Sequence, residues 1–217
     1  MGRADLVEIL LQHGADPDKP FYIGSHLHEL PGLFDAAGEG KLEVVEVLLK
    51  YGTSVNKVFA GVTALHYAAW GNQVAAAELL LRRGADLHAS SGGRGTPLDC
   101  AIHAGYAETA EFLLKAGAVL DSPDRKLLTA VKAGHKNMVR LLLNWGASPT
   151  GERLDDGWSP LHAAAWEDKV DIARLLLECG ADAQRPNKGG TTPLDVARSK
   201  AMRELLGGRG AQTERGG

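Results

Sequence analysis

Histidines, cysteines and one glycine-rich loop are the residues in this chain that chemistry would recruit. His26, His28 and Glu29 form an H-x-H-E group, and two imidazoles at alternate positions could ligate a metal. No cysteine or further histidine stands near them in sequence, so a surface histidine pair in a loop is the expected reading. His66 and His162 each sit in an L-H-x-A-A stretch, and Asp99 and Asp195 take the same slot elsewhere. Recurrence of this kind argues for scaffolding, because a catalytic group would be singled out in one unit. The SSGGRG loop before Thr96 lacks the G-K-[ST] ending and the strand–loop–helix setting of a phosphate loop. No nucleophile elbow or H-E-x-x-H run is present. Catalysis, a cofactor and a metal are therefore not expected. Cys100 and Cys179 fall in different helices, which suits unpaired filler thiols in a reducing compartment.

The elements that would carry these residues are plainest in GWSPLHAAAWEDKVDIARLLLECGAD, starting at Gly157. Ser159 is a helix N-cap, since its hydroxyl can accept from first-turn N–H groups that lack partners. Pro160 stands at the first helical position, where a missing N–H costs nothing. Leu161, Ala164 and Ala165 make a narrow apolar face, and Asp168 falls at a turn. A second helix carries Ile172, Ala173, Leu176 and Leu177 at helical spacing and ends at Gly180. Such a unit cannot bury its own apolar surface and needs neighbours of the same shape.

The rest of the chain supplies them. GVTALHYAAWGNQVAAAELLLRRGAD starts at Gly61 and GTPLDCAIHAGYAETAEFLLKAGA at Gly95, with closing glycines at Gly14, Gly52, Gly84, Gly117, Gly146 and Gly180. Thr63 and Thr96 are 33 residues apart, as are Ser159 and Thr192. With this period and its T-P-L-H-x-A signature, the sequence resembles the ankyrin-repeat family. The resemblance implies an all-α solenoid of helix-turn-helix units with finger loops, stacked to leave a concave groove. The units are expected at about 1–16 (second helix only), 31–56, 61–89, 94–121, 124–149, 157–184 and 190–206, with a disordered tail over 207–217. It also implies that His66 and His162 are structural, tying neighbouring loops by hydrogen bonds, and that Gly52, Gly84, Gly117, Gly146 and Gly180 close helices. Leu48 and Asn56 match the spacing at which ankyrin asparagines are hydroxylated, but Ser54 stands where an acid is usual, and a hydrogen-bonding turn asparagine is the preferred reading.

Departures from the repeat carry expectations of their own. The opening unit is either part of a longer array or a lone capping helix, exposed and prone to fraying. The glycine spacing of 38 across 14–52 lengthens the first connection, in which Phe21, Tyr22 and Ile23 are apolar enough to pack. Ala76 and Ala77 replace branched residues and should thin the packing there. Asn72 stands where glycine is usual and tolerates a left-handed turn. A spacing of 29 across 117–146 should shorten the finger before the fifth unit. The last unit should have a full first helix and a cut-down second one, made polar by Arg198, Lys200, Arg203 and Glu204.

Composition limits the function. Of 217 residues, 44 % are apolar and 24 % charged, with a net charge of −3. No basic footprint for nucleic acid is present, no apolar run reaches the ~20 residues of a membrane span, and no basic-then-apolar leader opens the sequence. A cytoplasmic monomer, with nuclear residence an option, is expected to bind a protein partner. One solvent-facing position near the end of the first helices holds Gly38, Trp70, His103, Lys132, Trp166 and Ser199. Large aromatics are enriched at hot spots. Trp70 and Trp166, three repeats and roughly 25–30 Å apart, could anchor an extended segment with His103 and Lys132 between them. Trp158 and Trp145 could pack together or near Trp166, while Arg94, Arg125 and Lys126 are placed in the fingers. The competing reading lays each indole over a neighbouring alanine-rich helix. The candidate partner-binding residues are Trp70, His103, Lys132, Trp158 and Trp166.

Overall fold

The computed structural model describes residues 3–19, 30–151 and 156–210. They form twelve α-helices; among the described residues the extended structure amounts to two isolated backbone bridges. The chain divides between Val119 and Leu120 into two compact units.

The first unit holds α1 (Arg3–Gln12), α2 (Gly32–Glu39), α3 (Leu42–Lys50), α4 (Ala64–Trp70), α5 (Val74–Arg82), α6 (Pro97–Ala104) and α7 (Ala107–Lys115). First helices α2, α4 and α6 stack in one row, and second helices α1, α3, α5 and α7 in another. Leu33, Phe34, Leu48, Leu65, Leu80, Leu98 and Leu113 fill the space between the rows and are essentially inaccessible. Small residues on the first helices let their backbones close up: Ala36, Ala37, Ala68, Ala69 and Ala101 are all buried. The approach is tightest where α2 and α4 end, since a Cβ added to Gly71 would run into the Gly38 carbonyl. Ala76 and Ala77 of α5 are fully buried. On α1, Leu6 and Leu10 are 48 % and 42 % exposed.

Helix ends follow one recipe. Gly52, Gly84, Gly117, Gly146 and Gly180 all adopt φ between 86° and 102°. After each, the next N–H returns to a carbonyl five residues back, as in Ala85 to Leu80 and Ala181 to Leu176 (both 2.9 Å), satisfying last-turn acceptors. The turn between paired helices uses the same left-handed conformation at Asn72 (φ 56°) and Asp168 (φ 53°). The first finger turns back through Ala60 and Gly61, both at positive φ, with Phe59 and Val62 exchanging two backbone hydrogen bonds of 2.9 and 3.1 Å. Only residues 116–122 join α7 to the next helix, against 83–96 between α5 and α6, so the finger is lost there.

The second unit holds α8 (Pro123–Ala133), α9 (Lys136–Asn144), α10 (Pro160–Trp166), α11 (Val170–Glu178) and α12 (Lys200–Gly210). α8 packs on α10, and α11 on both α9 and α12. Leu127, Met138, Leu142, Leu161, Leu176, Met202 and Leu206 are fully buried. The last repeat differs from expectation. Its first helix is reduced to a turn over 193–196, and its second, α12, is among the longest in the chain. Eight residues separate Leu194 from Met202, against twelve from Leu161 to Ala173, too few for a full helix and a turn. The chain therefore gives up the first helix. Ser199 becomes the cap of α12, accepting from Met202 N–H at 3.1 Å. α12 runs to Gly210, past the boundary at 206; residues 211–217 lie outside the described residues.

Candidate functional site

Two buried histidines link each helix start to the finger that follows. His66 Nδ1 lies 3.1 Å from the Thr63 N–H and 2.9 Å from its hydroxyl, while Nε2 lies 3.2 Å from the Gly95 carbonyl. His162 repeats the pattern with Ser159 (3.2 and 2.8 Å) and the Thr191 carbonyl (2.9 Å). A backbone N–H can only donate and a carbonyl can only accept, so Nδ1 is the bare nitrogen and Nε2 carries the proton. Burial is the largest influence on both rings and lowers their pKa, against the raising effect of the bonded carbonyls. These are neutral, fully satisfied imidazoles, not general acids or bases with a free face. Asp99 in α6 and Asp195 in the turn over 193–196 take the same slot: each carboxylate accepts the N–H and hydroxyl of Thr96 or Thr192 at 2.7–3.0 Å.

In the first unit, Trp70 ends α4 half-buried. Tyr67 meets it edge-on at 6.1 Å, and the Arg94 guanidinium lies 4.7 Å from its ring centre. Tyr67 in turn meets Phe34 at 5.6 Å, and Phe34 meets Phe59 at 5.9 Å. Four rings and a cation thus run from one finger through α2 and α4 to the next finger. His103, exposed, takes the equivalent position on the stacked helix α6.

In the second unit, Trp166 ends α10 and is 44 % exposed. Trp158, half-buried in the preceding finger, meets it edge-on at 6.0 Å and also lies against His162 at 5.7 Å. The Arg198 guanidinium sits 4.0 Å from the Trp166 ring centre. Its neighbour Ser199 donates to Asp168 Oδ1 at 2.6 Å, fixing the chain on both sides of the stack. Lys132, exposed in the last turn of α8, holds the equivalent position on the adjoining helix. Trp70 and Trp166 therefore each carry an arginine from the next repeat, a pairing that the repeat pattern does not signal. Trp145 stands apart at the end of α9, 40 % exposed, and has no ring partner among the described residues.

Three charged residues placed in the fingers fall differently. Arg94 is in a finger, but Arg125 and Lys126 belong to α8, because Pro123 starts that helix earlier than the repeat spacing suggests. Lys126 pairs with Asp121. Asn56 uses its whole amide to join two turns: it donates to the Gly84 carbonyl at 3.0 Å and accepts from Asp86 N–H at 2.7 Å. Both cysteines are free, Cys100 buried and Cys179 exposed. Burial, then the Asp99 carboxylate, pushes the Cys100 thiol up to about 11. His26, His28 and Glu29, like Phe21, Tyr22 and Ile23, lie outside the described residues. Among the described residues no group of three His, Cys, Asp or Glu is arranged around a metal position, and no helix is long and apolar enough to cross a membrane.

The ankyrin-repeat family model matches residues 1–91, 33–124 and 127–215. The chain belongs to the ankyrin-repeat family. Ankyrin repeats are in general protein–protein interaction modules, and the fold is typically non-enzymatic. The chain is 32 % identical over 165 residues to the B-cell lymphoma 3 protein homolog of Mus musculus, which covers 72 % of this chain and 37 % of that protein. Among solved structures it resembles the ankyrin repeat domain of Bcl-3 (TM-score 0.66, 31 % identity, 94 % of this chain and 91 % of that one). It also resembles the human ASB11 ankyrin repeat domain (TM-score 0.60, 30 % identity, 82 % and 96 %).

Proposed function

We propose that this ankyrin protein is a non-catalytic recognition module, a monomer that takes a protein partner on the face where its first helices end and its fingers begin. Trp70 and His103 serve in the first unit, and Lys132, Trp158 and Trp166 in the second. The observation that carries this is Trp166, a large aromatic left 44 % exposed although Trp158 and Arg198 both pack on it. An indole kept in place yet uncovered has little ordering entropy to lose on association. The test is affinity capture with the whole chain, followed by binding of each captured protein to Trp166→Ala and Trp70→Ala. A loss of about tenfold or more with an unchanged melting temperature supports the reading. Wild-type binding by both variants removes it.

A second reading, recruitment or inhibition by an ankyrin module within a larger regulator, is favoured by the mouse relative, of which the matched stretch is 37 %. Immunoblotting of the natural source decides it. A band well above the 23.0 kDa of this chain supports it, and a band at that mass does not.

A further inference from the structure

We propose that the Trp158–Trp166–Arg198 cluster is a receptor for a carboxylate side chain flanked by an apolar one, so that the partner segment is acidic. The inference rests on the recognition reading above and gives its partner a chemistry. Arg198 is exposed, and its guanidinium carbon lies over the Trp166 ring, 4.0 Å from the centre. A guanidinium over a ring face spends none of its in-plane N–H donors on the ring, so they remain available to an acceptor. Several other cations already face an acid: Arg82 with Glu78, Arg83 with Glu46, Lys115 with Glu111, Lys136 with Asp171 and Lys200 with Glu204. Arg198 has no carboxylate within ion-pair distance among the described residues, although Glu167 and Asp168 follow Trp166 directly. Asp168 is engaged by the Ser199 hydroxyl instead.

The cluster is also held before any ligand arrives. Ser199 binds Asp168 and caps α12, so the residues beside Arg198 and Trp166 are tied to each other. Trp158 braces the indole edge-on, and its backbone N–H donates to Asp156 Oδ1 at 3.0 Å. Lys132, at the equivalent position on α8, adds a second exposed cation to the same row. A fixed planar donor fork beside an exposed indole suits a carboxylate, bidentate on the arginine, next to a leucine- or phenylalanine-sized side chain on the ring. A nucleic acid would need a basic stripe to track its phosphates, and the chain carries a net charge of −3.

The test pans a displayed library of short random peptides on the whole chain, then titrates enriched peptides against wild type, Arg198→Ala, Arg198→Lys and Trp166→Ala. Expected is enrichment of Asp or Glu beside an apolar residue. Roughly tenfold weaker binding should follow from Arg198→Ala, from Trp166→Ala, or from replacing the acid by its amide. Arg198→Lys should recover only part, since an ammonium neither lies flat on the ring nor forks. Melting curves of the variants should match wild type, because both side chains are exposed. Enriched peptides that need Trp166 but tolerate amides and Arg198→Ala overturn the acidic partner and leave the recognition reading standing. No enrichment overturns both. Tighter binding of a single-stranded oligothymidylate than of any peptide overturns the inference in favour of a polyanion.

Discussion

A neutral imidazole that accepts from its own helix start through Nδ1 and donates to the next loop through Nε2 loses the first of these bonds at low pH. His66 and His162 are such groups, and their folded-state pKa lies below the ordinary value. Their contribution to stability is therefore complete above the unfolded value of about 6.5 and is lost as the pH falls through the depressed folded value. A second proton on Nδ1 would face the Thr63 or Ser159 N–H, which cannot turn away. Melting temperature should be level above neutrality and drop below about pH 6. His162→Asp keeps the cap, as Asp195 does with Thr192, but leaves the Thr191 carbonyl without its donor. It should cost about 1–3 kcal/mol at neutral pH and flatten the acid limb that His162 supplies, both read from melts across pH. Thiol labelling makes a second residue-scale check. At neutral pH a thiol reagent should titrate Cys179 alone in the folded chain, and Cys100 only after denaturant is added.

At the scale of the element, two glycines test two different physical demands. Gly180 has φ 94° and open space around it, so only its backbone conformation excludes a side chain. Gly71 has φ −86°, which any residue adopts, yet a Cβ there would strike the Gly38 carbonyl. Gly180→Ala should cost about 1–2 kcal/mol and Gly180→Asn less, because asparagine tolerates the left-handed region. Gly71→Ala should cost about 1–3 kcal/mol and Gly71→Asn more, because bulk is the obstacle. Denaturant melts of the four variants separate the two rankings, and equal behaviour at both sites would show that packing between α2 and α4 is looser than described. Helix closures of this sort are legible in the sequence, since each glycine stands a fixed distance after a leucine run. The Trp–Arg stacks are not. Trp70 and Arg94 are 24 residues apart and Trp166 and Arg198 are 32, so no period connects them. The Phe59–Phe34–Tyr67–Trp70 chain is hidden for the same reason, being assembled from one finger and two stacked helices. Even α12 could be found only by counting residues between buried positions, not by matching the repeat.

At the scale of the molecule, stability within each unit is a sum of neighbouring contacts, as in other repeat arrays. Leu176 is fully buried, and Leu176→Ala should cost about 2–5 kcal/mol through the cavity it opens. In a stack the damage should be local first: amide exchange should rise in α9 through α12 before the global transition is approached. Uniform acceleration through all twelve helices would instead mark a single cooperative body. The histidine links give this locality a direction. Each imidazole sits in one repeat but spends a nitrogen on the loop of the next, so the cap of a helix is completed from downstream. A chain ended before Thr191 would retain His162 and every residue it touches in its own repeat, yet leave its Nε2–H facing water. Shortening the array should therefore weaken the start of α10, a helix the truncation never reaches.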